Sequence, residues 1–314
     1  MGTLSSGIAA KAAGSNYVLP GRKVSFAQKV HAASIILGPA AAVALAGYEM
    51  WQGEVRLWEP VLMAILYMLT MLGITVGFHR LFSHQSFQCY NAVRLSLAIL
   101  GCMAAQGPLI YWVGNHRRHH RFGDENGDPH SPHRLDEREL KGWAGFWHAH
   151  FGWTFTHQLT NSAFFCKDLL KDPRILWVNR HYFKWVLLGL LVPAIMGGLI
   201  GSGWHGIWNG LLWGAAVRVF FTHHAAASIN SITHMFGYRS FPTREQSRNN
   251  LWLGYPTLGE GWHNNHHAHP TSAIFGLRWW EVDVGGMVIQ LLECAGLAWN
   301  VRNESSRIGP DAAG

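Results

Sequence analysis

The 314-residue chain is 49% hydrophobic and 13% aromatic but only 14% charged, about half the charged share of an average soluble domain, which excludes a highly solvated or disordered protein. Its 20 His outnumber the 18 Asp plus Glu, so imidazole, a metal-ligating and proton-handling group, is concentrated in a mostly apolar chain. The net charge of +7 points the surface toward anionic lipid headgroups or an acidic partner, whereas basic residues scattered between apolar stretches argue against nucleic acid.

Residues 1–30 read as a flexible cytosolic tail, because Met1 to Lys23 holds no compact apolar run with a cleavage site. Five apolar stretches follow as candidate membrane segments, at about 31–48, 60–78, 92–113, 184–202 and 206–229. His79 and His84 close the second of these, and His116, His119 and His120 close the third. If the third stretch crossed the membrane, those histidines would lie on opposite faces. Arg94, Gln106, Gly107 and Pro108 interrupt it, so it is assigned to an interfacial helix. The expected fold is therefore an all-α membrane protein with four transmembrane helices under a helical cap. One membrane domain spans 31–302, followed by a C-terminal tail at 303–314.

Lys11, Arg22, Lys23 and Lys29 precede the first span, and Arg80, Arg117, Arg118, Arg121, Arg239, Arg244 and Arg248 accompany the histidines. The opposite side carries little positive charge, so the His-rich cap is expected to face the cytoplasm. Cys89, Cys102, Cys166 and Cys294 form no CxxC pair, consistent with reduced thiols.

Three histidine clusters carry the chemistry: His79-Arg-Leu-Phe-Ser-His84, His116-Arg-Arg-His119-His120 and His263-Asn-Asn-His266-His267. On an α-helix the second and third histidines of HxxHH lie about 60° behind and about 40° ahead of the first, which gives one imidazole-bearing face. HxxxxH differs, since i and i+5 point about 140° apart; it suits a helix end or two separate metals. Eight histidines exceed one closed zinc site, so a binuclear site is expected. Position alone leaves His234 open between ligand and neighbour. His223 and His224 read as core or supporting residues, and His130, His133, His148, His150, His157 and His269 as loop or supporting residues. Glu260-Gly-Trp-His263 matches the ExxH of carboxylate-rich bundles, but the second ExxH such a bundle requires is absent. A metal pair reached from the membrane suggests oxygen-dependent chemistry on an acyl chain.

HRLFSH, NHRRHH followed by GDPH, NSITH and GEGWHNNHH together resemble the boxes of the integral-membrane fatty acyl desaturases, in particular the stearoyl-CoA or delta-9 type. The resemblance extends from about Gly73 to Asp283. It implies two irons held by nine histidines and a water-linked asparagine. One iron would take His79, His120, His234, His263 and His267. The other would take His84, His116, His119 and His266, with Asn230 through water. The implied reaction removes two hydrogens from adjacent methylenes, with O2 as co-substrate and no bound haem or flavin. Tunnel residues implied are Trp112 and Gln106 at the bend and Tyr67 at the closed end. Animal acyl-CoA members are polar before the second box, where this chain reads Gly107-Pro-Leu-Ile-Tyr-Trp-Val-Gly114-Asn115. CoA, lipid and acyl carrier protein therefore all stay open as carriers. GLRWWEVD, Gly276 to Asp283, is closer to bacterial relatives, which implies a bacterial inner membrane. No HPGG haem motif occurs, so a separate ferredoxin, rubredoxin or cytochrome b5-like protein with its reductase is expected to supply electrons.

Two other outcomes remain. The same metals could serve hydroxylation, acetylenic-bond formation or alkene-forming decarboxylation. A non-catalytic haem or metal membrane protein is the alternative from another class, and it would place facing histidines within the spans rather than beyond their ends.

Overall fold

The computed structural model describes residues 16–304, so the first half of the expected N-terminal tail, residues 1–15, and residues 305–314 lie outside it. The described tail residues are ordered. Strand β1 (Val18–Lys23) pairs antiparallel with β2 (Gln158–Thr160), fastening the start of the chain to the cap. Helix α1 (Phe26–Trp51) begins at a capping box, in which the Ser25 hydroxyl accepts from the Gln28 backbone N–H and the Gln28 side-chain Oε1 accepts from the Ser25 backbone N–H.

Helix α2 (Trp58–Leu72) runs directly into a π-helix, Gly73–Ser83, giving one continuous helix of 26 residues. The expected interfacial helix at 92–113 is two shorter helices, α3 (Asn91–Met103) and α4 (Leu109–Phe122). Between them Ala105 (φ 62°) and Gly107 (φ 105°) turn the backbone left-handed, and Pro108 starts α4 without needing an N–H partner. At 13 and 14 residues neither helix is long enough to cross a bilayer.

In the cap, helix α5 (Gly142–Trp147) continues through a π-turn, His148–Gly152, into Trp153–Thr156. Helix α6 (Tyr182–Gly201) then turns at Ser202 into a helical run over 203–235 that ends as α7 (Arg218–Met235). Helix α8 (His263–Ala268) carries the last histidine box, and α9 (Val284–Cys294) packs against the π-helix.

Among the described residues three helices, Phe26–Trp51, Trp58–Ser83 and Tyr182–Gly201, are long and apolar enough to cross a membrane. The run 203–235, which contains the expected span 206–229, is not among them, because Arg218, His223 and His224 dilute its apolar sequence. Arg218 is nevertheless buried, its guanidinium donating to the carbonyls of Gly214, Met103 and Gly189 at 3.0, 2.9 and 3.2 Å. Backbone oxygens thus replace the water a charged group would otherwise need.

The two helical hairpins share one end. Gly201 lies against the Trp58 ring, and Asn209 donates to the buried Glu59 carboxylate at 2.6 Å. Small residues allow the close approach of α6 to the run 203–235. A Cβ on Gly206 or Gly210 would overlap the carbonyl oxygen of Gly197 or Pro193. The opposite end of these helices carries the histidines.

Candidate metal centre

The HRLFSH box lies at the end of the π-helix, HRRHH on the second half of α4, His234 at the end of α7 and HNNHH on α8. Nine histidines converge from these elements into two groups. One contains His79, His84, His116, His120 and His266; the other contains His119, His234, His263 and His267. Within each group the ligand-capable atoms all lie within 4.8 Å of one another.

Helical geometry explains the division. His116 and His120 are one turn apart at i and i+4 and share the first group, while His119 lies on the adjacent flank and enters the second. Helix α8 does the reverse, sending His263 and His267 to the second group and His266 to the first. HRLFSH corrects the expectation drawn from α-helical geometry. In the π-helix the His84 N–H donates to the His79 carbonyl at 3.2 Å, so residue i+5 stacks over residue i as i+4 does in an α-helix. Both imidazoles therefore reach one group. This grouping differs from the partition the resemblance implies, in that His79 and His120 lie with His84, His116 and His266, while His119 lies with His234, His263 and His267.

Carboxylates orient four of these rings. The Nδ1–H of His79 donates to Glu260, that of His119 to Asp128 at 2.8 Å, and that of His234 to Asp124 at 2.8 Å. Glu245 stands 3.5 Å from His267 Nδ1. Burial alone raises the carboxyls of Asp124, Asp128 and Glu260, but the adjoining imidazoles, with Arg80 at Glu260, outweigh it and hold all three below their ordinary range. Arg80 is fully buried, donating to Glu260 and Asp283 at 2.8 Å each.

Where Nδ1–H is committed, as in His79, His119 and His234, a neutral imidazole presents only a lone pair at Nε2. Yet Nε2 atoms approach one another at 2.7 to 3.1 Å: His84 to His116, His79 and His120 to His266, and His234 and His267 to His263. Buried His119 Nε2 has no hydrogen-bond partner. Facing lone pairs repel unless a cation lies between them, and two nitrogens at right angles about 2.1 Å from one metal lie about 3.0 Å apart. The donor set therefore fits two metal ions, and orienting carboxylates behind ligating histidines are what such sites require.

An apolar-walled cavity of about 240 Å³ leads to both groups, touching His79, His116, His119, His263 and Glu260. Asn230, one turn before His234, lines it, as do Gln106 and Trp112. Gln106 is held at both ends, donating to the Thr222 carbonyl and accepting from the Trp112 indole N–H, each at 3.1 Å. Trp112 in turn stacks on His116 with centroids 5.2 Å apart. Tyr67 is a correction. Its hydroxyl donates to the Pro256 carbonyl, and Met71 and Ile74 form the cavity wall on this helix instead.

Among the other histidines, His133 donates to the His234 carbonyl at 2.8 Å and His130 stacks near His119, with centroids 4.5 Å apart. His150 bonds Ser231 and His224, His157 bonds Tyr111, and His223 lines the cavity. Sequence reasoning missed the orienting roles of Asp124, Asp128, Glu245 and Glu260. The acidic GDENGD run directly after HRRHH was the available signal for the first two.

A helical membrane protein that opens an apolar cavity onto paired histidine groups belongs to the class of metalloenzymes acting on long apolar substrates. Residues 56–283 match the family model described as fatty acid desaturase. The chain is 43% identical over 274 residues to the Hex-5-enoyl-[acyl-carrier protein] acetylenase of Moorena producens, covering 87% of this chain and 84% of that relative. It is 40% identical over 250 residues to the sn-1 stearoyl-lipid 9-desaturase of Anabaena variabilis, covering 78% and 85%. Delta-9 acyl-lipid desaturase 1 of Arabidopsis thaliana is 36% identical over 245 residues, covering 77% and 75%. The chain belongs to the fatty acid desaturase family, and it is a fatty acyl desaturase with histidine groups arranged to bind metal.

Proposed function

We propose that this desaturase introduces a cis double bond at the delta-9 position of a saturated acyl chain carried on membrane lipid, using two irons and O2. The balanced reaction is R–CH2–CH2–R′ + O2 + 2 e− + 2 H+ → R–CH=CH–R′ + 2 H2O. The observation that carries this reading is the meeting of nine histidines with the end of an apolar-walled cavity. The printed activities of the Anabaena and Arabidopsis relatives support a 9-desaturase acting on acyl-lipid.

His79, His84, His116, His120 and His266 would hold one iron, and His119, His234, His263 and His267 the other, with Asn230 of the cavity wall as a further, water-linked ligand. The metal pair supplies the oxidising power that unactivated C–H bonds require. The chain's own residues supply position and dryness. Trp112 and Gln106 fix the wall beside His116, and Met71, Ile74 and Ile229 exclude water along the acyl chain. Asp124, Asp128 and Glu260 keep Nε2 of their histidines deprotonated and aimed inward.

Four spans with the cap toward the cytoplasm of a bacterial inner membrane complete the reading, supported by the positive residues at the cap end. A separate small redox protein with its reductase would deliver the electrons there.

Expression in a host followed by mass-spectrometric fatty-acid profiling tests the reaction. A new delta-9 monounsaturated acid is expected from the unmutated protein and none from His120→Ala. The acetylenase relative at 43% identity favours a second reading, triple-bond formation on an acyl chain that is already unsaturated; an alkynyl product would establish it.

A further inference from the structure

Helix α1 forms one side of the cavity through Gln28, His31, Ala32, Ile35 and Ile36, a spacing of three and four residues that defines a single helical face. Only 11% of its most apolar window is buried, so most of the helix is uncovered by protein. Phe151 and Thr154 of the cap line the same cavity, which is partly open, and the helix packs against the segment Trp153–Thr156. The residues of α1 that line the cavity thus lie in the first turns, after the capped start, of a helix long and apolar enough to cross a membrane.

Four polar atoms of the wall outside the two histidine groups are buried without a hydrogen-bond partner: His31 Nε2, His223 Nε2, Asn115 Nδ2 and His130 Nδ1, the last beside His119. His223 is eleven residues before His234 on α7, about 16 Å deeper at 1.5 Å per residue. His31 is the one on the cavity face of α1, its ring edge-on to Tyr182 and Phe183. An unpartnered buried nitrogen is costly unless a ligand supplies the missing bond. Exposed Arg22, Lys23 and Lys29 surround the same start of α1, a charge complement for an anionic headgroup.

We propose that the acyl chain of an anionic membrane lipid enters sideways between the first turns of α1 and residues 151–154, with His31 Nε2–H donating to its ester carbonyl. His31 is then a positioning residue, fixing one end of the chain while the histidine groups meet its middle. The inference rests on the proposed acyl-lipid reading and narrows it to one route and one anchor.

The test uses metal-loaded protein, supplied with O2 and a reduced ferredoxin as electron donor, in phosphatidylglycerol vesicles doped with phosphatidylglycerol bearing a diazirine on its stearoyl chain. After photolysis, labelled peptides covering 24–36 and 151–154 are expected, together with Ile229 or Asn230. His31→Leu should lower cavity labelling about tenfold, the equivalent of one lost hydrogen bond, and spread the double bond over neighbouring positions. His31→Gln, which keeps an N–H donor, should restore a single position, and Ala32→Trp should block labelling by filling that entry. Label confined to outward-facing helix surfaces, or an unchanged single product position in His31→Leu, would overturn the proposal. Desaturation of an acyl-CoA or acyl-carrier-protein thioester without lipid labelling overturns the route and leaves the desaturase reading intact. Cavity labelling by lipid without any unsaturated product upholds the route and removes that reading instead.

Discussion

At His119 the Nδ1–H donates to Asp128 while Nε2 faces its group without a protein partner, so the Asp128 carboxylate decides which nitrogen is free to ligate. Asp128→Asn keeps the size but replaces the anionic acceptor with an amide, and should lower metal affinity or turnover about 10- to 100-fold. Elemental analysis of the purified variant checks this, and full metal occupancy at wild-type activity would refute it. Titration gives a second residue-scale expectation. Burial depresses His150 and His157 to about 4, below the ordinary 6.5. The unfolded chain therefore takes up protons first on acidification. The stability these two neutral rings contribute is complete above about 6.5 and is lost as pH falls from there toward 4. Melting temperature in detergent should drop across that window, and less steeply in a His150→Gln, His157→Gln double variant. A pH-independent melting temperature would contradict the assignment.

Two features belong to whole elements. The π-helix at Gly73–Ser83 is what lets an HxxxxH spacing serve a single group. Its period differs from 3.6, so the α-helical reading placed His79 and His84 about 140° apart and was wrong for that reason. The membrane hairpin depends on glycines. Since a Cβ on Gly210 would overlap the Pro193 carbonyl oxygen, Gly210→Leu must push α6 off the run 203–235. Overpacking of this kind costs about 1–3 kcal/mol, and the prediction is a lowered melting temperature with reduced recovery of folded protein. The kink between α3 and α4 was foreshadowed by Gly107-Pro108, yet the positive φ at Ala105 was not, because alanine carries no local preference for it.

At the scale of the molecule, exposed Trp51 and Trp204 mark one end of the helices, and Trp143, Trp147 and Phe183 are exposed at or near the other. Such rings suit the two membrane interfaces. With the cap toward the cytoplasm, a Gln52→Cys variant should react with a membrane-impermeant thiol reagent from the outer side, and Arg138→Cys only after the inner side is exposed. The opposite pattern would invert the orientation while leaving the site chemistry untouched.

The metal chemistry was legible in the sequence because ligand type and helical spacing are local properties, and HxxHH places its imidazoles wherever the helix goes. Apolar length likewise located the three helices that are long and apolar enough to cross a membrane to within about five residues. Tertiary structure alone decided which histidines share a group, since that depends on how the π-helix, α4, α7 and α8 meet. It also decided which carboxylates orient them, as with Asp124 and His234, 110 positions apart. Met71 rather than Tyr67 lines the cavity for the same reason. A helix face acquires its role only from what packs against it, and no spacing within one helix encodes its partner.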